Sequence, residues 1–244
     1  MPTFYKIYIL YIMSNIINIS NIFAIGFRCN TDEFLTDFLK IRRYSSPFSY
    51  MVIDIKTALN FIDNNFLNYT NKDFILPGKN SYKFNKHNWS CNNIHKHSII
   101  TNDYVDILDM DKVCIWNHHN LYDENIINSL NRRSLHLLEC LNKKSDTTLL
   151  FYIEKIQKYE ENRLLFDKSI LDNYNCKFLI LIPLLNFNSD PILFYDDSRI
   201  RIIYFNSNLE FWATEINCHI EEWNKLQILI NKLYNFNIEN RNDE

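Results

Sequence analysis

The second half of the chain alternates short apolar runs with longer amphipathic segments, and this pattern constrains the fold more than any other feature. Apolar runs of strand length occur at Val113–Trp116, Thr148–Ile153, Phe178–Leu185 and Ile200–Phe205. Continuous apolar runs of this length are typical of strands buried on both faces, as in parallel sheets. The sequence therefore predicts an α/β fold, with a single layered domain and a mostly parallel sheet covered by helices.

Several other segments have the apolar spacing of a helix that lies on a sheet. They are Asp54–Phe66, Asp123–Leu141, Tyr159–Tyr174 and Ile216–Leu233. Asp54 and Asp123 each stand where an N-cap residue is expected. Residues 81–105 alternate only loosely, which predicts exposed and weakly defined strands.

The chain shows no internal repeat and no long linker, so one domain is the simplest interpretation. We assign residues 1–20 to an N-terminal extension that is untranslated or flexible, 21–236 to the folded domain and 237–244 to a polar tail. The apolar run Phe4–Ile12 is shorter than the roughly 20 residues of a spanning helix, and no small-residue cleavage site follows it. Met13 is an alternative start. A cytoplasmic protein without a membrane anchor is expected.

Charge and composition restrict the partners. The net charge of −3 offers no basic excess to neutralise phosphates, so no nucleic-acid partner is expected. With only two glycines the chain cannot form a glycine-rich phosphate loop, and no cofactor is expected. Abundant Asn, Ile, Tyr, Phe and Lys, which have AT-rich codons, indicate an AT-rich genome such as that of a large DNA virus or a protist. A viral protein would work in the host cytoplasm. The oligomeric state stays open.

The stretch Ile22–Leu39 holds the strongest candidate for chemistry. Its apolar run Ile22–Phe27 includes Gly26, and an amphipathic segment begins just after Cys29. A strand, a tight turn and a helix start would place Cys29 beside unpaired backbone N–H groups at the positive end of a helix dipole. That environment favours the thiolate, which is the nucleophilic form. The sequence thus predicts a catalytic Cys29, with a buried core cysteine as the alternative.

The other cysteines carry no clear signal. Six cysteines are scattered along the chain without a Cys-x-x-Cys pair, which predicts reduced thiols and no disulfide framework. The five besides Cys29 are expected to be small buried apolar residues.

Two histidines follow the apolar run that ends at Trp116. His118 and His119 stand just beyond a predicted strand, as Cys29 does. Ligands of open α/β sheets bind beyond the carboxyl ends of the strands, so the two strand ends could bring a nucleophile and a base to one crevice. Neighbouring side chains point to opposite sides, so only one of the two histidines can face Cys29.

Five segments occur in an order and at spacings shared with one protein family. They are Ala24–Cys29 against "SLGxNC", Tyr44–Tyr50 against "SYPFDW", His119–Leu121 against "HDF", Asn131–Leu135 against a basic pair with leucines, and Leu149–Ile153 against "ILFIR". Together they resemble a family of papain-like cysteine peptidases over roughly residues 20–155. The resemblance implies a papain-like fold and a Cys29–His119 pair. It also implies cofactor-free, thiol-dependent hydrolysis of a peptide, isopeptide or other acyl bond, with a peptide or protein as substrate.

Three positions depart from the family pattern. Ser49 stands where the family has aspartate, Asn120 where an aspartate follows the histidine, and no arginine ends the 149–153 run. If those groups orient the site, this copy is weakened or inactive. The alternative is therefore a catalytically inactive binding or structural protein on the same scaffold. A third possible function is that of a transferase, in which Cys29 would form an acyl-enzyme and pass the acyl group to an acceptor other than water.

The resemblance favours His119 over His118, because an amide residue follows His119 as the acid does in the family. No third, orienting residue is assigned from the sequence. Glu154, at a predicted strand end, is the one guess.

A histidine-rich segment is the remaining candidate for a ligand site. Cys91, His95 and His97, with His87 nearby, do not match a standard zinc spacing, and a solvated polar loop is the preferred interpretation. The acidic run from Asp103 to Asp111 lacks the glycine and closing glutamate of a calcium loop. No metal is therefore expected.

Overall fold

The computed structural model describes most of the chain in separate ranges. These are residues 15–26, 30–41, 45–77, 82–84, 87–89, 92–102, 105–108, 112–116, 118–154, 157–158, 168–172, 174–185, 187, 189–207 and 220–237. Within those ranges, none of the helices has the length and hydropathy that a bilayer crossing requires.

The described residues form sixteen strands, four α-helices and several shorter helical turns. In chain order the strands are β1 (Ile17–Ile19), β2 (Asn21–Gly26), β3 (Met51–Ile53), β4 (Ile75–Pro77), β5 (Tyr82–Phe84), β6 (His87–Trp89), β7 (Asn93–His95), β8 (Ile99–Asn102), β9 (Val105–Leu108), β10 (Cys114–Trp116), β11 (Thr148–Ile153), β12 (Gln157–Lys158), β13 (Lys177–Leu185), β14 (Ile192–Asp196), β15 (Ile200–Asn206) and β16 (Tyr234–Phe236). The helices are α1 (Asn30–Glu33), α2 (Ile55–Asp63), α3 (Glu124–Asn142) and α4 (Ile220–Leu233). A π-helical turn, Phe34–Phe38, continues α1, and 3₁₀ turns occupy Lys72–Phe74, Lys96–Ser98 and Lys168–Leu171.

A largely parallel sheet forms the centre of the fold. Its main path has the order β14-β15-β13-β11-β2, with β12 also paired to β13. Strands β2, β11, β13 and β15 are parallel, and β14 is antiparallel at one edge. Every residue of β11 and of β15 is buried, as their unbroken apolar runs predict. The strands predicted at residues 148–153, 178–185 and 200–205 are thereby confirmed.

Helices cover both faces of this sheet. Alternate side chains of a strand point to opposite faces, so Phe151 and Ile153 belong to one apolar cluster while Leu150 and Tyr152 belong to the other. The first cluster packs against α4 and the π-helical turn, and the second against α2, α3, β3 and β10. The described structure therefore combines helices with sheets, as the sequence predicts.

The strand β10 does not belong to the parallel sheet, and this corrects the prediction that Val113–Trp116 is one of the strands of that sheet. It lies in a second, antiparallel sheet of order β3-β10-β7-β4. A third sheet has the order β6-β5-β9-β8. A buried apolar run of three or four residues looks the same in a parallel or an antiparallel sheet, so the pattern alone could not assign β10.

Helices α2 and α3 begin where the sequence predicts. Asp54 Oδ1 accepts the Thr57 N–H at 3.0 Å, and Asp123 Oδ1 accepts the Asn125 N–H at 2.9 Å. Both carboxylates therefore satisfy backbone donors that have no partner within the helix.

The other two predicted helices are only partly covered by the described ranges. Of Tyr159–Tyr174, residues 159–167 and 173 lie outside them, and the described part contains the 3₁₀ turn Lys168–Leu171 instead of an α-helix. Of Ile216–Leu233, residues 216–219 lie outside the described ranges and the remainder is α4.

The two ends of the described chain meet. Strand β1 pairs in parallel with β16, with Ile17 opposite Tyr234. The buried Arg201 side chain donates to the carbonyl oxygens of Asn15 and Leu233, at 2.8 and 2.6 Å. The range 1–20, predicted as an extension, therefore contains a strand of the fold.

Candidate active site

Two loops meet because β3 and β10 are paired. Trp116 lies opposite Met51 in this antiparallel register. The loop that runs into Met51 and the loop that leaves Trp116 therefore lie at the same end of the strand pair. The first loop carries Ser49 and the second carries His119, seventy positions apart in the sequence.

The Ser49 loop has a local reason for its shape. Pro47 occupies the second position of a turn that the Ser49 N–H closes on the Ser46 carbonyl at 3.1 Å. The Ser46 hydroxyl also accepts the Phe48 N–H at 3.1 Å. This turn fixes the backbone that leads into Ser49.

The His119 loop is held from its other side. The Leu121 N–H donates to the buried Asn93 Oδ1 at 2.7 Å, and the Leu121 side chain is itself fully buried in the core. Asn120 Oδ1 accepts the Tyr122 N–H at 3.1 Å and so shapes the turn that leads to α3.

His119 is fixed by a hydrogen bond between its ring and the Ser49 loop. Its Nε2 lies 3.1 Å from the Ser49 carbonyl oxygen. A carbonyl oxygen can only accept, so Nε2 carries the proton and donates it. In the neutral ring the other nitrogen, Nδ1, is then the one with a lone pair for a proton.

The half-buried position of His119 favours the neutral ring. Loss of solvent around the ring lowers the pKa of His119, and the positive charges of Arg133 and His118 act in the same direction. The hydrogen bond to the Ser49 carbonyl opposes this and raises the pKa, but the net shift is downward. His119 is therefore a neutral proton acceptor near pH 7.

Asp32 ties the helical segment after β2 to the Ser49 loop. Its Oδ1 accepts the Ser49 hydroxyl at 2.9 Å, and its Oδ2 accepts the Tyr50 N–H at 2.8 Å. Asp32 and Ser49 are 1% and 0% exposed. Tyr50 has a φ of 57°, an unfavourable backbone conformation for a non-glycine residue, and the carboxylate holds the N–H of this residue in place.

The segment that carries Asp32 is anchored to the sheet by aromatic packing. The Phe34 ring lies 4.6 Å from the Trp223 ring of α4 and 5.8 Å from the Phe151 ring of β11, measured between centroids. Burying a ring of this size contributes about 1.5–3 kcal/mol. The position of Asp32 is thus set by the core of the central sheet.

His118 has different neighbours from His119. Its ring meets the Tyr50 ring edge to face, with centroids 6.0 Å apart. The two histidines therefore contact different residues of the same loop, and it is the His119 ring that donates to the Ser49 backbone.

Cys29 lies outside the described residues, together with Phe27 and Arg28. The residues on either side are described. Gly26 is the last residue of β2 and pairs with Ile153 of β11, and Asn30 is the first residue of α1. The strand and the helix predicted before and after Cys29 are thus present, and the pairing of Cys29 with His119 stays a prediction.

The three described cysteines, Cys114, Cys140 and Cys176, are buried and not disulfide-bonded. Burial raises the pKa of the Cys114 thiol well above its usual range and that of Cys176 to about 12. Cys140 is different, since its sulfur lies 3.8 Å from His136 Nε2, one turn earlier on α3. The sequence contains this pair at helical spacing, and our sequence interpretation missed it.

The histidine-rich segment is only partly described, and the solvated polar loop predicted for it is wrong for His95, which is buried at the end of β7. Cys91 and the side chain of His87 lie outside the described residues. The His95 and His97 rings lie 4.0 Å apart between centroids, and both also pack against Phe61. Across the part of the chain that the structure describes, no three His, Cys, Asp or Glu side chains group as a metal site would require.

The structure describes little of the acidic run Asp103–Asp111, and it places Glu154, the orienting residue suggested from the sequence, beside Tyr152. Asp103, Asp109 and Asp111 lie outside the described residues, as does the side chain of Asp106. Glu154 Oε1 accepts the Tyr152 hydroxyl at 3.4 Å, next to the end of β11.

Two features of the site were not found from the sequence: the Ser49 carbonyl as the partner of His119, and the role of Asp32. Asp32 falls on the same helical face as Leu35 and Leu39, which are both buried. An acid on an apolar stripe is the signal that could have identified it, because a buried carboxylate needs hydrogen-bond donors.

Comparison of the chain with protein-family models, with curated proteins and with solved structures found no match.

Proposed function

We propose that this chain is a thiol hydrolase of the papain-like cysteine peptidase type, with Cys29 as nucleophile and His119 as base. The observation that carries the proposal is the hydrogen bond from His119 Nε2–H to the Ser49 carbonyl. It leaves Nδ1 as the proton acceptor of a ring whose pKa is lowered by burial. A neutral, oriented imidazole is what a cysteine nucleophile requires.

The proposal is also supported by the strand and the helical segment on either side of Cys29. The chain leaves a parallel strand at Gly26 and enters a helical segment at Asn30. Backbone N–H groups at the start of that segment would stabilise a thiolate and would serve as donors to a developing oxyanion. The papain-like fold belongs to this proposal and rests on the motif order.

The proposed reaction has two balanced stages. The Cys29 thiol proton passes to His119 Nδ1 as the sulfur bonds to the substrate carbonyl carbon, and the carbonyl π electrons move to oxygen. As that oxyanion collapses, the bond to the leaving group breaks, and the leaving group takes the proton from His119. Water then attacks the thioester, giving one proton to His119 and releasing the carboxylic acid and the thiol.

Site-resolved alkylation tests the pair. The rate of iodoacetamide labelling at Cys29 would be measured by peptide mass spectrometry at pH 6.5, with glutathione as the reference thiol. Lowering a thiol pKa by one unit raises its thiolate fraction about tenfold at this pH. The nucleophilicity of the thiolate falls as its pKa falls, but by less than its fraction rises. We therefore expect Cys29 to react several-fold faster than an unperturbed thiol, and the His119→Ala variant to lose that excess.

The chain offers a matched control for this experiment. His136→Ala removes the histidine that lies beside Cys140 and should leave the Cys29 rate unchanged. A Cys29 rate equal to that of a free thiol, and unaffected by His119→Ala, would rule out the pair. The chain would then be assigned to the alternative class, a non-catalytic binding or structural protein.

A further inference from the structure

We infer that Asp32 is a positioning residue that orients the base, acting on His119 through the backbone of Ser49. This inference deepens the proposed function and rests on it for the role of His119 as base. The contacts that support it join Asp32, Ser49, Tyr50 and His119, all of which are described.

The geometry forms one continuous path. The Asp32 carboxylate accepts from the Ser49 hydroxyl and from the Tyr50 N–H, and so holds groups on both sides of the Ser49 carbonyl. That carbonyl receives the His119 Nε2–H at 3.1 Å. With the peptide unit held at both ends, the carbonyl keeps its direction and the imidazole ring keeps its orientation.

Asp32 acts on the ring through position. Its two carboxylate oxygens hold the Ser49 hydroxyl and the Tyr50 N–H, and the Ser49 carbonyl accepts from His119 Nε2. An amide that keeps the same shape should therefore replace this carboxylate without releasing the His119 ring.

The backbone conformation of Tyr50 gives an independent reason for a carboxylate here. A tyrosine with φ near 57° adopts its conformation only where neighbouring groups fix it. The Tyr50 N–H is fixed by Asp32 Oδ2 at 2.8 Å. Without this acceptor the turn could relax, and the adjoining Ser49 carbonyl would move with it.

The test compares three variants by their effect on the His119 ring. Asp32→Ala removes both acceptor oxygens, and Ser49→Ala removes one of the two hydrogen bonds while keeping the carboxylate. Asp32→Asn keeps the shape, since its Oδ1 can accept from Tyr50 and its amide can donate to the Ser49 hydroxyl. Asp37→Ala, on the exposed side of the same segment, is the matched control.

The measurement is nitrogen-15 NMR of the histidine side chains, with the His119 signals assigned by their loss in His119→Ala. We expect a protonated Nε2 with a slowly exchanging proton in the wild type, in Asp32→Asn and in Asp37→Ala. Exchange of this proton should become about tenfold faster in Asp32→Ala, because the hydrogen bond that protects it is lost. Ser49→Ala should give an intermediate acceleration.

Two outcomes overturn the inference. Unchanged exchange of the Nε2 proton in folded Ser49→Ala and in folded Asp32→Ala would show that Asp32 does not position the ring. Faster exchange in Asp32→Asn would show that charge, and not position, is what matters. Should Asp32→Ala fail to fold, Ser49→Ala decides alone, because it removes a single hydroxyl.

The proposed function fails on a different measurement. Cys29 alkylation reports the pair of nucleophile and base, whereas the NMR signal reports the His119 ring alone. If the Nε2 proton exchanges faster in Asp32→Ala but Cys29 is unreactive, the positioning role of Asp32 stands and the hydrolase function is rejected. If Cys29 is reactive but the exchange is unchanged in the variants, the hydrolase function stands and the positioning role of Asp32 is rejected.

Discussion

Ser49 and Asp32, seventeen positions apart, are joined by a buried hydrogen bond of 2.9 Å from the Ser49 hydroxyl to Asp32 Oδ1. Asp32 belongs to the helical segment that follows β2 of the central sheet, and Ser49 precedes β3 of the second sheet. The bond therefore connects the two sheets at the candidate site. A buried carboxylate is costly without donors, so this contact sets both the local structure and the position of the Ser49 carbonyl.

Ser49→Ala should destabilise the fold by about 2 kcal/mol, because hydrogen bonds to charged groups contribute about 1.5–3 kcal/mol. Urea denaturation followed by circular dichroism measures this free energy of unfolding. Ser145→Ala is the control, since it removes an exposed hydroxyl that donates to Asp146 at the same 2.9 Å. If Ser49→Ala lowers the free energy of unfolding no more than Ser145→Ala does, the buried hydrogen bond between Ser49 and Asp32 does not stabilise the fold as proposed.

The stability of the protein should fall as the pH drops from about 6.5 to 4. Burial and the neighbouring His97 lower the pKa of His95 to about 4, so between these values the unfolded chain binds more protons than the folded one. The contribution is fully present above pH 6.5 and amounts to at most about 3 kcal/mol.

The variant His95→Asn isolates this effect. In the wild type, His95 Nδ1 accepts the His97 N–H at 3.5 Å, and the asparagine oxygen can take that place without titrating. Urea denaturation at pH 7 and at pH 4.5 should show a smaller difference for His95→Asn than for the wild type. Equal differences in the two proteins would exclude His95 as the source.

Arg201→Met should destabilise the fold by about 3 kcal/mol, because it leaves Asp196 and two carbonyl oxygens without this donor. The Arg201 side chain is 3% exposed and its Nε lies 2.7 Å from Asp196 Oδ1. Thermal and urea unfolding measure the loss. Lys143→Met, which removes an ion pair of the same length from a side chain that is 58% exposed, should change the stability far less, because solvent screens an exposed pair.

Cys114 and Cys176 should stay unlabelled by a thiol reagent in the native protein and react once the chain is unfolded in guanidinium. Both are buried, and burial raises the pKa of each thiol, so little thiolate is present at pH 8. Mass spectrometry of the labelled peptides measures this directly. Rapid native labelling of either cysteine would contradict its buried position.

The sequence predicted the elements with strong local signals and missed those that depend on distant partners. The apolar run Thr148–Ile153 is the strand β11, and Asp123 caps α3 as expected. The short strands β1 and β16 were missed, since three residues carry too little pattern without their pairing partner. Residues 81–105, predicted as exposed and weakly defined strands, contribute to β5–β9 in their described parts, but β7 is buried and not exposed.

The residues of the candidate site also fall into those that the sequence indicated and those that only the structure shows. Cys29 and His119 were proposed from residue type, local context and motif order, and their pairing stays a prediction. The Ser49 carbonyl could not be proposed, because every residue has a carbonyl and only the fold determines which one reaches a histidine ring. Asp32 was not singled out from the sequence, and its hydrogen bond to the Ser49 loop is seen only in the structure.

By itself, the sequence determined the elements with strong local signals, such as β11, β13, β15, α2 and α3, because apolar periodicity and capping residues act over a few neighbours. Only the tertiary structure decided that β10 pairs with β3 in a separate antiparallel sheet, and so which loop faces His119. It also decided that Asp32 holds Ser49 and Tyr50. Strand pairing and buried hydrogen bonds join residues far apart in the chain, and their partners are selected by the packing of the whole core.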